Sequence, residues 1–102
     1  MMTKWADYCI SACRYNSEHT HIDKVKVHSD DGESIGPSKE YSRQEVILSI
    51  KADNSFVTIF KNSAGKWIKG QLVIIVKIKG KEYIKTVEND KEVDNLENLP
   101  EY

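Results

Sequence analysis

The stretch that decides the fold closes the chain: Asp94-Asn95-Leu96-Glu97-Asn98-Leu99-Pro100 follows a basic run over residues 61–86. A tail that only solubilises a protein carries few apolar residues, yet this one contains two leucines and a proline. Full burial of a leucine is worth about 1.5–3 kcal/mol, enough in two copies to offset the ordering of a short tail. We therefore expect residues 88–102 to dock on the sheet, with Asp94 and Asn95 bonding backbone groups at the turn.

Charge is divided unevenly between these two segments. Residues 61–86 hold seven lysines and one glutamate, whereas residues 87–102 hold six acidic residues and one lysine. The segments therefore carry +6 and −5 within a chain whose formal net charge is −1. A tail folded back on the basic run would weaken its long-range attraction for nucleic acid. The simpler alternative is that both charged runs are solvated surface.

Length and composition indicate one globular domain. The 102 residues are 39% apolar and 30% charged, which suits a single unit with one modest core. No apolar run approaches the roughly 20 residues of a membrane span, so we expect a soluble, cytoplasmic protein without a membrane partner. Cys9 and Cys13 lie about 13 Å apart if both are on one strand, which is beyond disulfide reach and predicts reduced thiols.

Alternating apolar and polar residues predict a protein rich in strands. The pattern is typical of strands over Tyr8–Tyr15, Ile22–His28, Phe56–Phe60, Trp67–Lys79 and Glu82–Val87. Within the first strand it places Cys9 and Cys13 on one face and Ile10 on the other. The middle of the fourth strand has apolar residues on both sides, which favours a central position covered on both faces. Ser29–Lys39 has turn chemistry throughout and predicts a long surface loop.

One helix is predicted between the strands. Ser42-Arg43-Gln44-Glu45 fits a capping box, after which apolar residues recur at helical spacing until about Ala52. The predicted order is β-β-α-β-β-β. We therefore expect an α+β fold in which one curled antiparallel sheet carries a single helix packed on it.

The two ends of the chain resemble a known family. Ile10-Ser11-Ala12 is similar to its opening strand, and Tyr83-Ile84-Lys85-Thr86 followed by Asp94-Asn95-Leu96 and Leu99-Pro100 is similar to its closing pattern. The family is a small bacterial and prophage one, domain of unknown function 3892, in which an arginine is common where Lys85 stands. The resemblance implies a fold and a fixed tail rather than an activity. Its structural tail residues are Thr86, Asp94, Asn95, Leu96, Leu99 and Pro100.

Motifs that could carry catalysis or hold a metal are weak. His19 and His21 would point the same way on an extended segment, but further ligands at a recognised spacing are missing, so we expect no metal and no cofactor. Cys9 and Cys13 have no base nearby in sequence that would activate a thiol. Asp30-Asp31-Gly32-Glu33-Ser34 lacks the ligand spacing of a calcium loop. The sequence therefore predicts a protein that is not an enzyme.

Two binding hypotheses remain. The first is a protein-interaction module, accessory or inhibitory and of bacterial or mobile-element origin, because exposed aromatic residues favour interfaces. The alternative is a nucleic-acid-binding domain, because residues 61–86 interleave aromatics with lysines. Candidate residues on this basic surface are Trp67, Lys69, Lys81, Tyr83 and Lys85. Tyr15, His19 and His21 form a second candidate group on a loop.

Overall fold

The computed structural model describes residues 5–18, 20–30, 35–86, 94, 96 and 99–102. These residues form seven strands and one helix. In chain order the elements are β1 Tyr8–Tyr15, β2 Ile22–Ser29, β3 Lys39–Ser42, α1 Arg43–Lys51, β4 Phe56–Lys61, β5 Trp67–Leu72, β6 Ile74–Ile78 and β7 Lys81–Lys85. The α+β class is confirmed.

The main sheet has five strands in the order β3-β2-β1-β4-β5, and β6 and β7 form a separate two-stranded hairpin. The prediction of a single antiparallel sheet was wrong, because β1 and β4 run parallel from the pair Tyr8 and Phe56 to the pair Ile10 and Thr58. The reason is the position of α1. The helix carries the chain back to the end of the sheet at which β1 begins, so the next strand runs in the same direction as β1.

The helix follows its predicted cap. The Glu45 amide donates to Ser42 Oγ at 3.1 Å, and the Ser42 amide donates to Glu45 Oε1 at 3.0 Å. Both bonds of a capping box are therefore present. The helix ends at Lys51 with Ala52 as its C-cap, after which Asp53 takes the left-handed conformation with φ of 70°. In the part of the chain described, no helix is long and apolar enough to cross a membrane.

Two of the differences from the predicted elements change the sheet, at β3 and between β5 and β6. The last residue of the loop expected over Ser29–Lys39 is instead the first residue of β3. This strand pairs with β2 from Lys39 to Ser42. The expected long strand Trp67–Lys79 is divided at Val73, whose side chain is 3% exposed and whose amide donates to the Phe56 carbonyl at 2.8 Å. Val73 enters the core and ends the pairing with β4, so β6 leaves the main sheet and pairs with β7 instead.

A bulge in β1 changes which residues share a face. The register with β2 shifts between Ile10 and Ala12, so Ser11 is an extra residue. The shift directs Cys13 to the same side as Ile10, into the main core, whereas Cys9 lies in a second apolar cluster. The expected common face for the two cysteines was therefore wrong. They are not bonded to each other.

The described tail residues lie against the main core. Leu96 is 2% exposed and Leu99 is 7% exposed, and both belong to the main core cluster. The Cys13 amide donates to the Pro100 carbonyl at 3.0 Å, and the Tyr102 amide donates to the Cys13 carbonyl at 3.1 Å. The chain end thereby pairs with β1 in a parallel direction. It does so beyond Ile10, where β4 no longer accompanies β1.

Replacement of Leu96 tests how much the tail contributes to stability. We expect Leu96→Ala to lower the free energy of unfolding by about 2–5 kcal/mol, because a buried leucine is lost and a cavity remains. Urea denaturation measures the change. Leu48, which is 55% exposed on α1, supplies the control: Leu48→Ala is expected to change stability by about 0.5 kcal/mol or less. Equal losses in the two variants would contradict a tail packed in the core.

Candidate functional site

The five residues of the predicted basic surface lie on two separate sheets. Trp67 and Lys69 are on β5 of the main sheet, whereas Lys81, Tyr83 and Lys85 are on β7 of the hairpin. Lys69 and Lys81 are exposed, but Tyr83 is 3% exposed and Lys85 is fully buried. The structure therefore does not assemble these residues into one basic and aromatic surface.

Tyr83 lies in the interior, and three other side chains lie near its ring. The His21 ring stacks on it with centroids 5.8 Å apart and an angle of 22° between the planes. The Arg43 guanidinium lies 5.9 Å from the ring centroid, and Lys85 Nζ lies 5.8 Å from it. An aromatic ring enclosed in this way stabilises the domain and is not offered to a nucleic-acid base.

The second candidate group faces the tail. Tyr15 packs against the main core, where burial, together with the nearby Cys13, raises the pKa of its phenol to about 12; a hydrogen bond with the Leu96 backbone opposes this shift. His21 Nδ1 lies 3.8 Å from Asp94 Oδ2. His19 lies outside the described residues. Tyr15 and His21 therefore meet the tail and the hairpin at one place rather than forming a separate surface.

The carboxylate of Asp94 is the centre of that place. Its side chain is completely buried and accepts hydrogen bonds from the amides of Ile22 at 2.8 Å and Ile84 at 2.9 Å. The Arg43 guanidinium donates to it through Nε at 2.6 Å and Nη2 at 3.2 Å, and Nη2 also donates to the Glu82 carbonyl. A buried carboxylate is stable only with such partners, so this ion pair is structural.

The Asp94 backbone, Thr86 and Asn95 complete the predicted tail residues. The Asp94 amide donates to the Thr20 carbonyl at 3.0 Å, which ties the tail to the segment before β2. Thr86 is half-buried, and its Oγ1 has no hydrogen-bond partner within the described part of the chain. Asn95 lies outside the described residues, so its predicted backbone bonds stay a prediction.

A cleft beside Asp94 offers little for a ligand. It has a volume of about 350 Å³ and is lined by His21, Arg43, Gln44, Ile47, Lys81, Glu82 and Tyr83. Arg43 is already bonded to Asp94, and Glu82 accepts from Lys51 Nζ at 2.7 Å, so much of the charge around the cleft is neutralised within the protein. Nor do three or more histidine, cysteine or acidic side chains gather as a metal site in the described ranges.

Both cysteines are poor nucleophiles in the folded protein. Burial raises the pKa of the Cys9 thiol from 9.0 to about 11, and the Asp30 carboxylate adds to the shift. Burial has the same effect on Cys13, with Glu101 as the neighbouring acid. Thiolate is therefore scarce at neutral pH, and nucleophilic attack requires the thiolate.

Two exposed large apolar side chains lie on β5. This strand lies at one edge of the main sheet, opposite the edge formed by β3, and Ile68 is 48% and Leu72 55% exposed. Its register with β4 shifts between the pairs Ile59–Lys69 and Val57–Leu72, which places Ile68 and Leu72 on opposite faces of the strand. No strand pairs with the outer edge of β5 among the residues that the structure describes.

Gly70 keeps β5 close to β4. A Cβ atom at this position would lie 2.2 Å from Thr58 Oγ1 and 2.6 Å from the Phe60 ring. Thr58 Oγ1 also accepts from the Gln71 amide at 3.0 Å, so a side chain replaces the missing backbone partner at the bulge. A glycine within a strand was a usable signal for this close approach.

Sequence reasoning missed Arg43, Ile68 and Leu72. Arg43 was treated only as a position in the capping box, because nothing local connects it to Asp94, 51 residues later. Ile68 and Leu72 were assigned to one long strand, Trp67–Lys79, whose middle was expected to be covered on both faces. The exposed edge becomes visible only after that strand is divided at Val73.

These features define a small α+β protein with a buried ion-paired centre and an exposed edge strand. A family model described as "Protein of unknown function (DUF3892)" matches residues 9–100. The chain belongs to this family, so the predicted family is confirmed. The comparison with curated proteins found no match, and the comparison with solved structures found none either.

Replacement of Asp94 tests the buried ion pair. We expect Asp94→Asn to lower the free energy of unfolding by about 3 kcal/mol, because Arg43 loses its charged partner and an amide offers fewer acceptors. Chemical denaturation measures the loss. Glu40→Gln is the control, since Glu40 is half exposed and lies 3.9 Å from Lys24; a change of about 1 kcal/mol or less is expected. A similar loss in both variants would contradict the central role of Asp94.

The raised thiol pKa values predict slow alkylation. With a pKa of about 11 instead of 9.0, each cysteine holds about a hundredfold less thiolate at pH 8. Iodoacetamide should therefore modify the native protein at least about a hundredfold more slowly than the urea-unfolded protein. Intact-mass spectrometry measures both rates. Because the thiol pKa values are higher in the folded protein than in the unfolded protein, the buried thiols stabilise the fold below pH 9. This contribution to the free energy of unfolding is lost as the pH rises through 11. Equal alkylation rates for the native and the urea-unfolded protein would contradict the raised thiol pKa values.

Proposed function

We propose that the chain is a protein-interaction module and that the outer edge of β5, from Trp67 to Leu72, is its docking strand. The observation that carries the proposal is the exposure of apolar side chains on an outermost strand. Four large apolar side chains are exposed in the described part of the chain, namely Leu48, Ile68, Leu72 and Tyr102. Two of the four lie on β5.

An exposed strand edge can bind an extended peptide by adding it to the sheet. The backbone amides and carbonyls of the edge supply affinity, and alternate side chains supply specificity. Ile68 and Leu72 lie on opposite faces, so an added strand would meet one apolar side chain on each side of the sheet. Scattered apolar residues are ordinary on protein surfaces, but their position on both faces of one edge suits strand addition.

The partner segment should be acidic. Residues 56–72 contain Lys61, Lys66 and Lys69 and no acidic residue. Complementary charge speeds encounter and selects among extended segments that would otherwise all pair with an edge. Lys61 Nζ also lies 4.9 Å from the centroid of the Trp67 ring, which keeps this cation near the end of the strand.

The burial of Tyr83 and Lys85 weakens the nucleic-acid alternative. Binding of single-stranded nucleic acid relies on aromatic rings open to bases, together with a positive surface. With Tyr83 enclosed, Trp67 is the remaining aromatic of the five-residue set, and it is half-buried against the second apolar cluster. A protein partner therefore comes first.

A pair of leucines with the same exposure provides the test. Leu72 on β5 and Leu48 on α1 are each 55% exposed. The tagged protein and its Leu72→Glu and Leu48→Glu variants are used for affinity purification from nuclease-treated and untreated lysates of the host. We expect one protein to be recovered in stoichiometric amounts after nuclease treatment with the unmodified chain and with Leu48→Glu. Leu72→Glu should reduce its recovery by about tenfold or more, because it removes an apolar contact and repels an acidic partner.

Melting temperatures establish that both variants fold. Equal recovery with Leu72→Glu and Leu48→Glu would overturn the assignment of β5. Recovery of nuclease-sensitive material alone would contradict the proposed protein-interaction module and favour nucleic-acid binding. Recovery of nothing above background would reject both.

A further inference from the structure

Ser11 and His28 meet on the face of the main sheet opposite α1. Ser11 Oγ lies 2.7 Å from His28 Nε2, although the residues are 17 positions apart. Strand alternation explains the contact: His28 pairs with Cys9, and Ser11, two residues after Cys9, has its side chain on the same face. A serine within this distance of an imidazole has the spacing of a nucleophile and its general base.

The Gly36 carbonyl determines which nitrogen of His28 carries the proton. It lies 2.7 Å from His28 Nδ1 and can only accept, so Nδ1 is the donor. Nε2 of the neutral ring is then left with a lone pair and accepts the Ser11 hydroxyl proton. The Gly36 amide in turn donates to the Ser29 carbonyl at 3.0 Å, which holds the carbonyl in place.

Packing fixes the imidazole ring in this orientation. His28 is 8% exposed, and its ring meets the Trp67 ring edge-on, with centroids 5.3 Å apart. A base that is buried, bonded at both nitrogens and packed against an indole has little freedom to rotate. Ser11, His28 and the Gly36 carbonyl thus satisfy the geometric requirements of a nucleophile, a base and a group that orients the base.

Ser11 opens onto a crevice. Strands β1 and β4 pair only as far as Ile10 and Thr58 and then separate. The space between them has a volume of about 370 Å³, within the range of small-molecule sites. Its lining includes Ser11, Lys26, Phe60, Lys61, Trp67 and Pro100. A hydroxyl, two lysines and the Trp67 side chain therefore border one space, whereas Phe60 also packs against the main core.

We propose that Ser11, with His28 as its general base, is the catalytic nucleophile of a small-ester hydrolase site in this crevice. In the first step the Ser11 Oγ–H proton moves to His28 Nε2 and Oγ bonds to the carbonyl carbon of a carboxylic ester. The ester C–O bond then breaks, and the alcohol leaves with that proton. In the second step water, deprotonated by His28, attacks the acyl-serine and releases the carboxylic acid, which regenerates Ser11.

The crevice also indicates the substrate class. Lys26 and Lys61 border the crevice, with their ammonium groups 4.8 Å from the Tyr102 ring centroid and 4.9 Å from the Trp67 ring centroid, and they favour an ester that carries a negative charge. The ring of Trp67 favours an apolar or aromatic portion. An aryl ester of a small dicarboxylic acid has all these features. The nucleophile and its base lie on β1 and β2, so they are separate from the docking strand, although Trp67, the first residue of that strand, borders the crevice.

A fluorophosphonate probe tests the nucleophile directly. In its reaction an Oγ–P bond forms, the P–F bond breaks and fluoride leaves, so only an activated serine is labelled. We expect digestion and mass spectrometry of the labelled unmodified chain to place the adduct on Ser11. Ser11→Ala should abolish labelling, and His28→Gln should slow it by about 100-fold, since general-base catalysis contributes at least that factor. Ser63→Ala, at an exposed turn serine, should label at the unmodified rate.

Ester turnover gives a second readout. The unmodified chain should hydrolyse p-nitrophenyl acetate faster than the Ser11→Ala variant does. Melting temperatures establish that both proteins are folded. Mapping the adduct on the unmodified chain keeps the test decisive even if His28→Gln fails to fold. Absence of an adduct from the unmodified chain, an adduct on any other serine, or equal turnover by Ser11→Ala would each overturn the proposal.

Discussion

The rest of this structure depends on the hydrogen bonds and the ion pair of the buried Asp94 carboxylate. It bonds the backbone at the start of β2, the backbone of β7 and the guanidinium of Arg43 at the start of α1. Removal of a carboxylate from water is costly unless every acceptor site is used, so the three elements must come together around it. The helix, the hairpin and the tail are therefore held in one arrangement, which also buries Leu96 and Leu99.

This arrangement accounts for the surfaces that the domain presents. Since α1 returns the chain so that β4 runs parallel to β1, the two strands start together and separate after three residue pairs. The tail pairs with β1 where β4 has departed, through Cys13. The same divergence leaves the crevice beside Ser11, and the departure of the chain at Val73 leaves β5 as an outermost strand. Both proposed sites thus arise from the places where strands part.

Local sequence signals were reliable where one short segment decides the outcome. The capping box at Ser42 forms both of its hydrogen bonds, because all its atoms lie within four residues. Signals that depend on the neighbour of a strand were less reliable. Lys85 was expected at a basic surface and is fully buried, next to Ile84, whose amide donates to Asp94 of the tail. The parallel pairing of β1 and β4 could not be predicted, because the alternation of apolar and polar residues is the same in parallel and antiparallel strands.

The amino-acid sequence by itself determined the α+β class, the helix with its cap, most strands and the family, because periodicity, turn chemistry and closing motif are local properties. Only the tertiary structure decided that Arg43 neutralises Asp94, that Ile68 and Leu72 lie on an open edge, and that Ser11 reaches His28. Each of these depends on register between segments far apart in sequence. A single bulge or a change of strand direction moves every later side chain to the other face, and neither can be read from one strand alone.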